Sequence, residues 1–425
     1  MENTSSNDLA EEILECCLAG RPWSRATLHR LLELATSAAP AEASRALFTK
    51  LVERLGDLFE RRLCDTYAHL FSEVIAYLRP ELTARSLIQR YQWIRVQRPA
   101  PKTVQNIFVL SRVTLGADVA VTSVILDAVK KGYPQARIHL VGPRKNWELF
   151  AADPRIHHCP FTYGRSGTLR ERLSASPYFA EGLVVDPDSR LSQLGLLSVC
   201  PEENYLFFES RSYGGDSTES LSTLTSQWAA ETFGVEGASA YIAPVPEEDR
   251  AEVTISFGVG ENQEKRIIDP FEERLVAALL DRGHKILIDK GAGGEETTRV
   301  NRVLTRFPQI EFWQGDYAPF ASRIARSKFY IGYDSAGQHV AAACGVPVVS
   351  IFAGYVAERM FQRWHPTGKG SIEVVKVTNP DPATVLAQTL AVIDKTLAYH
   401  RNAVTELEPG SSCSQLPNPQ NPSQT

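Results

Sequence analysis

Several things are scarce in this chain, and each shortage removes a class of protein. It has no uninterrupted run of about 18 apolar residues, the length a membrane-spanning helix requires. The most apolar window, 340–353, is broken by Gly345 and Pro347 and reads as a helix end feeding a buried strand. Positive charge is not in excess: 45 Lys and Arg stand against 50 Asp and Glu, a formal net charge of −5 at pH 7. A chain that binds nucleic acid mainly by charge would be basic overall, so no nucleic-acid partner is expected. Cysteine is sparse and poorly spaced, seven in all, with Cys16 and Cys17 adjacent. The odd number argues against a fully paired disulfide framework, and neither the cysteines nor the pair His157-His158 has metal-ligand spacing. Free thiols in a reducing compartment fit best. The first eight residues are polar and acidic, unlike a secretory signal. The expected location is the cytoplasm, with peripheral attachment to the inner face of a membrane as its variant.

What is present is an ordinary globular composition. With 425 residues, 43% of them hydrophobic and 22% charged, the chain has material for two or three domains with sizeable cores. The first hundred residues carry helical periodicity: Leu47, Leu51, Leu55, Leu58 and Phe59 form one series, and Tyr67, Leu70, Phe71, Val74, Tyr77 and Leu78 another. Ser24 and Thr83 are placed as N-caps, and Pro22, Pro40 and Pro80 punctuate the helices. The apolar faces must pack on each other or on the body of the protein. An all-helical N-terminal domain over 1–100 is the expectation, and it carries no chemistry of its own.

After Pro99-Ala100-Pro101 the pattern changes. Asn106–Ser111 is a short buried-strand run, followed by a loop, a helix through Val124, Ile125, Ala128 and Val129, and a second strand over 138–142. Strand, helix, strand in about 35 residues is a βαβ unit, whose parallel strands need a crossover of that size. The alternation continues to Leu183–Asp186. A second series opens at Glu252–Phe257 and runs through the strands 285–289, 311–313, 329–331 and 346–352 with helices between them. The architecture expected is α/β, with two Rossmann-like domains facing a cleft, 101–245 and 246–380, joined at 243–247. A helix over 381–402 packs back on the body, and the Pro-, Ser-, Asn- and Gln-rich tail, 403–425, is expected to be disordered.

The most informative stretch is Phe329–Phe352. A strand runs into the polar loop Asp334-Ser335-Ala336-Gly337-Gln338-His339, then into an alanine-rich helix and a second buried strand. A loop at a strand's carboxyl end and a helix's N-terminus offers unpaired N–H groups and the positive end of the dipole to a phosphate. Ser335 can cap the helix or donate to a phosphate oxygen, Gly337 admits close approach, and His339 lies in the first turn. Without a ligand the same residues read as a capped helix in any α/β protein. Gly258-Val259-Gly260 lacks the third glycine of a dinucleotide fingerprint, and Lys290–Glu296 lacks the Gly-Lys-Ser/Thr ending of a P-loop.

The run Asp334–His339 followed by Val-Ala-Ala-Ala-Cys-Gly-Val-Pro-Val-Val resembles the signature of the family 9 glycosyltransferases, the heptosyltransferases of lipopolysaccharide assembly. Asp334, Ser335 and His339 match in kind and spacing. Ala336 stands where that family has glycine, with Gly337 one position later. Leu115-Gly116-Ala117-Asp118 with Thr122 resembles the family's first loop, Ala117 reading as a one-residue insertion. Ser256–Gly260 with Lys265-Arg266 resembles its glycine-containing strand end and Lys-Arg pair. The resemblance covers about 104–400 and leaves the helical region outside.

The resemblance implies a GT-B-like fold and an inverting transfer of a heptose or hexose from a nucleoside-diphosphate donor, ADP- or UDP-linked, to an acceptor hydroxyl. No cofactor and no metal is implied. Asp118 would be the general base, with Gly116 and Thr122 on the acceptor loop. Gly258, Gly260, Lys265, Arg266, Asp334, Ser335, Ala336, Gly337 and His339 would hold the donor, and Lys265 would meet the charge on the leaving diphosphate. The acceptor would be a glycan, a lipid-linked glycan or a protein, and the N-terminal helices could serve a protein partner. Two other readings fit the same residues: a nucleotide-sugar epimerase, and a non-catalytic nucleotide-sugar-binding scaffold.

Overall fold

The apolar runs form two wholly parallel sheets. The computed structural model describes residues 5–405 apart from 38–39, 165–166, 175, 248, 261 and 292. The tail expected to be disordered lies, from 406 onward, outside the described residues. The first sheet contains β1 (Asn106–Leu110), β2 (Arg137–Gly142), β3 (Ile156–Pro160), β4 (Leu183–Asp186) and β5 (Tyr205–Phe207), in the order β3-β2-β1-β4-β5. The second contains β6 (Val253–Ser256), β7 (Ile286–Asp289), β8 (Glu311–Trp313), β9 (Phe329–Tyr333), β10 (Val348–Phe352) and β11 (Ile372–Lys376), in the order β11-β10-β9-β6-β7-β8. Each order reverses direction beside its first strand, between β1 and β4 and between β6 and β9. Ligands of open α/β sheets bind outside the carboxyl ends of the strands at such a reversal.

The first sheet explains the N-terminal helices. Side chains alternate across a strand. Ile107, Val109, Leu183, Val185 and Leu206 therefore face one core, built with the helices that follow β1 and β5. Leu110, Val184, Tyr205 and Phe207 face the other. On that second side the chain's own crossovers are thin: the short helix Leu169–Ser174 and single 3-10 turns at Arg190–Ser192 and Glu202–Asn204. The bare face is covered instead by the helices Ser6–Leu18, Arg25–Ala35, Arg61–Leu78 and Ala84–Ile94, together with a continuous helical segment from Ala41 to Asp57 whose middle, Ala46–Glu53, is wound as a π-helix. Ser24 and Thr83 cap two of them, accepting from the amides of Thr27 and Ser86. Their residues Leu28, Leu31, Leu47, Leu51 and Leu70 are completely buried, in the same core as Leu110 and Val184. Of the two packings open to these helices, on each other or on the body of the protein, both are used: helices and first sheet share one core.

The second sheet is flanked on one side by Phe271–Asp281, Gly294–Arg306 and the long C-terminal helix Pro382–Thr405, which sends Val385 and Ile393 into the core beneath β9 and β10. On its other side Tyr330, Val340, Ala341 and Val348 belong to the core that also holds Val119, Ala120 and Val121 of the first domain. The two domains thus meet through buried apolar side chains. Among the described residues no helix is long and apolar enough to cross a membrane.

Candidate functional site

β9 ends at Tyr333, Asp334 and Ser335 turn the chain, and the eight-residue helix Ala336–Ala343 begins. Ser335 is the N-cap residue by conformation, yet its side chain makes no capping hydrogen bond. Asp334 is buried; Lys265 Nζ donates to its carboxylate at 2.6 Å and to its carbonyl oxygen at 3.3 Å. Gln338, a full turn into the helix, ties the loop down. Its side-chain amide donates to Asp334 Oδ1 and lies 3.4 Å from the carbonyl of Trp364, and its own oxygen accepts from Ser350 on β10. The Lys265 ammonium is thus fixed by Asp334 at the entrance of a helix, the end at which backbone N–H groups lack intrahelical partners.

The first domain closes over that entrance. A methyl group on Gly116 would stand 3.2 Å from Ala336 Cα and 3.5 Å from the His339 ring, so the absence of a side chain at Gly116 is what lets the two loops touch. His339 is buried between Gln338 and Trp364, whose ring centroid is 5.9 Å away. Burial, ahead of all other influences, pushes its imidazole down to about 4, so it is neutral at pH 7.

Other predicted residues are placed differently. Asp118 has no solvent exposure, and its oxygens accept from Ser111 Oγ (2.6 Å), the Arg112 amide (2.7 Å), Thr122 Oγ1 (2.6 Å) and Asn146 Nδ2 (2.6 Å). Burial raises its carboxyl above the usual range against the pull of those donors. A general base must reach the proton it removes, and in this arrangement all four contacts of the carboxylate are made within the protein. Asp118 and Thr122 thus stand together on the loop after β1, joined by the hydrogen bond between them. Arg266 is also turned away, its guanidinium held by Asp269 and Glu272. Gly337 has a use other than ligand approach, since a methyl group there would lie 2.0 Å from the Tyr330 hydroxyl beneath the helix. Gly258 makes room for Glu296, whose Oε1 would be 2.8 Å from an added methyl, and Gly260 takes a positive φ of 63° in the turn toward Lys265.

Four features were given no chemical role from the sequence, although Lys290–Glu296 was expected to line the nucleotide side of the cleft. Glu296, in the first turn of Gly294–Arg306, is brought to the ends of β6 and β7; burial and then the charge of Asp289 push its carboxyl up to about 7. Trp364 lines His339. The helical segment ending at Asp57 reaches the same place, with Phe59 packed edge-on to Trp364 at 6.3 Å. No local pattern announces Trp364 or the segment ending at Asp57, because each depends on chain segments far apart in sequence. The fourth was readable: Asp186-Pro187-Asp188 is an Asp-x-Asp spacing of the kind metal-dependent sugar transferases use, passed over in the metal-free expectation. Both of its carboxylates are committed. Asp186 accepts from the Ser189 amide, Ser192 and Tyr205, and Asp188 is paired with Arg211 at 2.8 Å.

Two Rossmann-type sheets whose reversal points face each other across the domain boundary define a GT-B-like architecture. Among solved structures the chain is similar to the E. coli heptosyltransferase WaaC with ADP-2-deoxy-2-fluoro heptose, at a TM-score of 0.52 and 14% identity, over 68% of this chain and 99% of that one. The same E. coli protein with ADP gives a TM-score of 0.50 and 12% identity over the same shares, 68% and 99%. A glycosyl transferase family 9 structure from Veillonella parvula gives 0.47 and 16% over 65% and 88%. No family model and no curated protein sequence matches the chain. The two E. coli structures show the fold: the chain has the two-domain frame of a heptosyltransferase.

Proposed function

We propose that the chain is a glycosyltransferase that moves a sugar, heptose or hexose, from an ADP- or UDP-linked donor to an acceptor hydroxyl with inversion. The observation that carries this reading is Lys265, bonded to both the carboxylate and the carbonyl of Asp334 at the entrance of helix Ala336–Ala343, with the first domain's Gly116 directly across. The diphosphate would lie against the first-turn N–H groups, hydrogen-bonded by Ser335. Lys265 would meet the charge that builds on it as the bond to the sugar breaks; fixed cations contribute most at such a position. His339, neutral at pH 7, would shape the pocket without adding charge. Asp289 and Glu296 stand at the end of the second strand of this domain, where a dinucleotide fold places the acceptor for ribose hydroxyls. Two neighbouring carboxyls, one pushed up to about 7, are suited to receive those hydroxyls. The fold shared with a structure containing ADP supports a nucleotide donor. In this reading the ammonium and the helix do the work of an ion, and no cofactor is needed. The acceptor is a glycan, a lipid-linked glycan or a protein, and the reaction runs in the cytoplasm, where six free described cysteines are at home.

One observation favours the non-catalytic alternative, the sealing of Asp118. Thermal unfolding with a panel of nucleoside diphosphates tests the binding half of the proposal. A ligand of the native site raises the midpoint with its concentration. Lys265→Ala should weaken the best nucleotide by about 10- to 100-fold, as the loss of a hydrogen bond to a charged group implies. No stabilisation by any nucleoside diphosphate would sink the transferase and scaffold readings together.

A further inference from the structure

Asp118 has no solvent exposure and is held by four donors, so a more open carboxylate at the domain boundary is the better placed group to receive the acceptor's proton. The helical segment Ala41–Asp57 offers one. Its end is wedged between the two domains. A methyl group on Gly56 would stand 3.2 Å from the Arg211 side chain, on the loop after β5. Two residues past Asp57, the Phe59 carbonyl accepts from Arg359 at 3.1 Å, and the Phe59 ring packs on Trp364, which packs on His339 of the donor loop. Asp57 lies between those anchors. It is partly exposed, and it accepts no hydrogen bond from any described residue. The charges that bear on it are Glu53 and Arg54 on its own helix, Lys265 of the donor domain and Arg190 of the first domain, with Arg211 and Arg359 holding the neighbouring residues. Nη1 of Arg190 is buried without a partner. Backbone strain gathers on the same loops: Phe59, Val113 after β1 and Asp188 after β4 have φ of 53°, 57° and 69°. Such conformations collect at functional sites, and for a β-branched valine the position is a true outlier.

We propose that Asp57, delivered by the N-terminal helical region, is the general base of the transfer; this rests on the transferase reading above. The acceptor hydroxyl gives its proton to a carboxylate oxygen of Asp57 as its own oxygen bonds to the anomeric carbon. The bond from that carbon to the diphosphate oxygen breaks, and its electron pair leaves on the diphosphate beside Lys265. Asp57 then returns the proton to solvent. Burial, then Glu53, push the Asp57 carboxyl up to about 6, against Lys265, Arg190 and Arg54. A base poised there is mostly ionised at pH 7 yet still basic enough to accept a proton. The helices that cover the first sheet thereby become part of the site.

The test uses the full chain with ADP- and UDP-linked sugars, reading nucleoside diphosphate release from pH 5 to 8, with thermal shifts by ADP and UDP alongside. Asp57→Asn should lower kcat by about 10²- to 10⁴-fold, the usual weight of a general base. It should keep the nucleotide shift and the donor KM, and lose the rise in rate through pH 6 that the wild type shows. Asp57→Glu should recover part of the rate. Asp118→Asn should lower the melting temperature while keeping that pH profile. Wild-type kcat in Asp57→Asn overturns the assignment. So does a loss accompanied by loss of the nucleotide shift, whereas a wild type that binds nucleotide and releases none overturns the transferase reading. Absence of any nucleotide shift overturns the transferase reading itself.

Discussion

His339 lies where all parts of the molecule meet, touching Gln338 of its own helix, the Trp364 ring at 5.9 Å and, across the domain boundary, the space left by Gly116. Its imidazole is held down to about 4 by burial first, with Lys265 and His365 acting in the same direction and Asp334 against. The folded value is below the unfolded one, near 6.5. Its contribution to stability is therefore fully present above pH 6.5 and lost as pH falls toward 4, because the unfolded chain takes up a proton that the folded chain refuses. The whole effect is at most about 3 kcal/mol. Urea unfolding at pH 7.5, 5.5 and 4.5 should show His339→Asn losing less stability across that window than the wild type. Equal losses would mean that the ring is not held neutral. Gly337 is a second residue whose surroundings differ from its motif. Its motif position suggested room for a ligand, whereas its space is taken by Tyr330, a strand neighbour that a linear pattern cannot connect to it.

Among the elements, the wedge over Ala41–Asp57 and the cover on the first sheet were the least legible. Helical periodicity located the helices well, and Ser24 and Thr83 cap as their positions imply. What the pattern could not give was the partner of their apolar faces, which depends on β3-to-β4 and β4-to-β5 connections that carry too little helix to cover the sheet. The strands were easier, since runs such as Leu183–Asp186 and Val348–Phe352 are buried throughout and read as continuous apolar segments. A shared core has a consequence. Removing 1–100 would expose Leu110, Val184, Leu191, Leu194, Tyr205 and Phe207, each worth roughly 1.5–3 kcal/mol when buried. That loss is comparable to the whole stability of a typical domain, about 5–15 kcal/mol. A chain starting at 101 should bind a hydrophobic dye and lack a sharp unfolding transition. A cooperative transition near that of the full chain would show the helices to be a separate unit.

At the scale of the whole molecule, two parallel sheets bring their reversal points together, and the helices behind the first sheet reach around to the same opening. The two α/β series and the loop after β9 were readable because strand alternation and helix-start chemistry are local. The sealing of Asp118 was not, since it depends on Ser111, Arg112 and Thr122 converging with Asn146 from beyond β2. Transfer from a nucleotide-sugar can be followed directly by mass spectrometry of the reaction mixture. Incubation of the chain with ADP- and UDP-linked heptose and hexose should yield free nucleoside diphosphate with the sugar moved to an acceptor or to water. A new sugar epimer still attached to its nucleotide, or donor left intact although it binds, would contradict it.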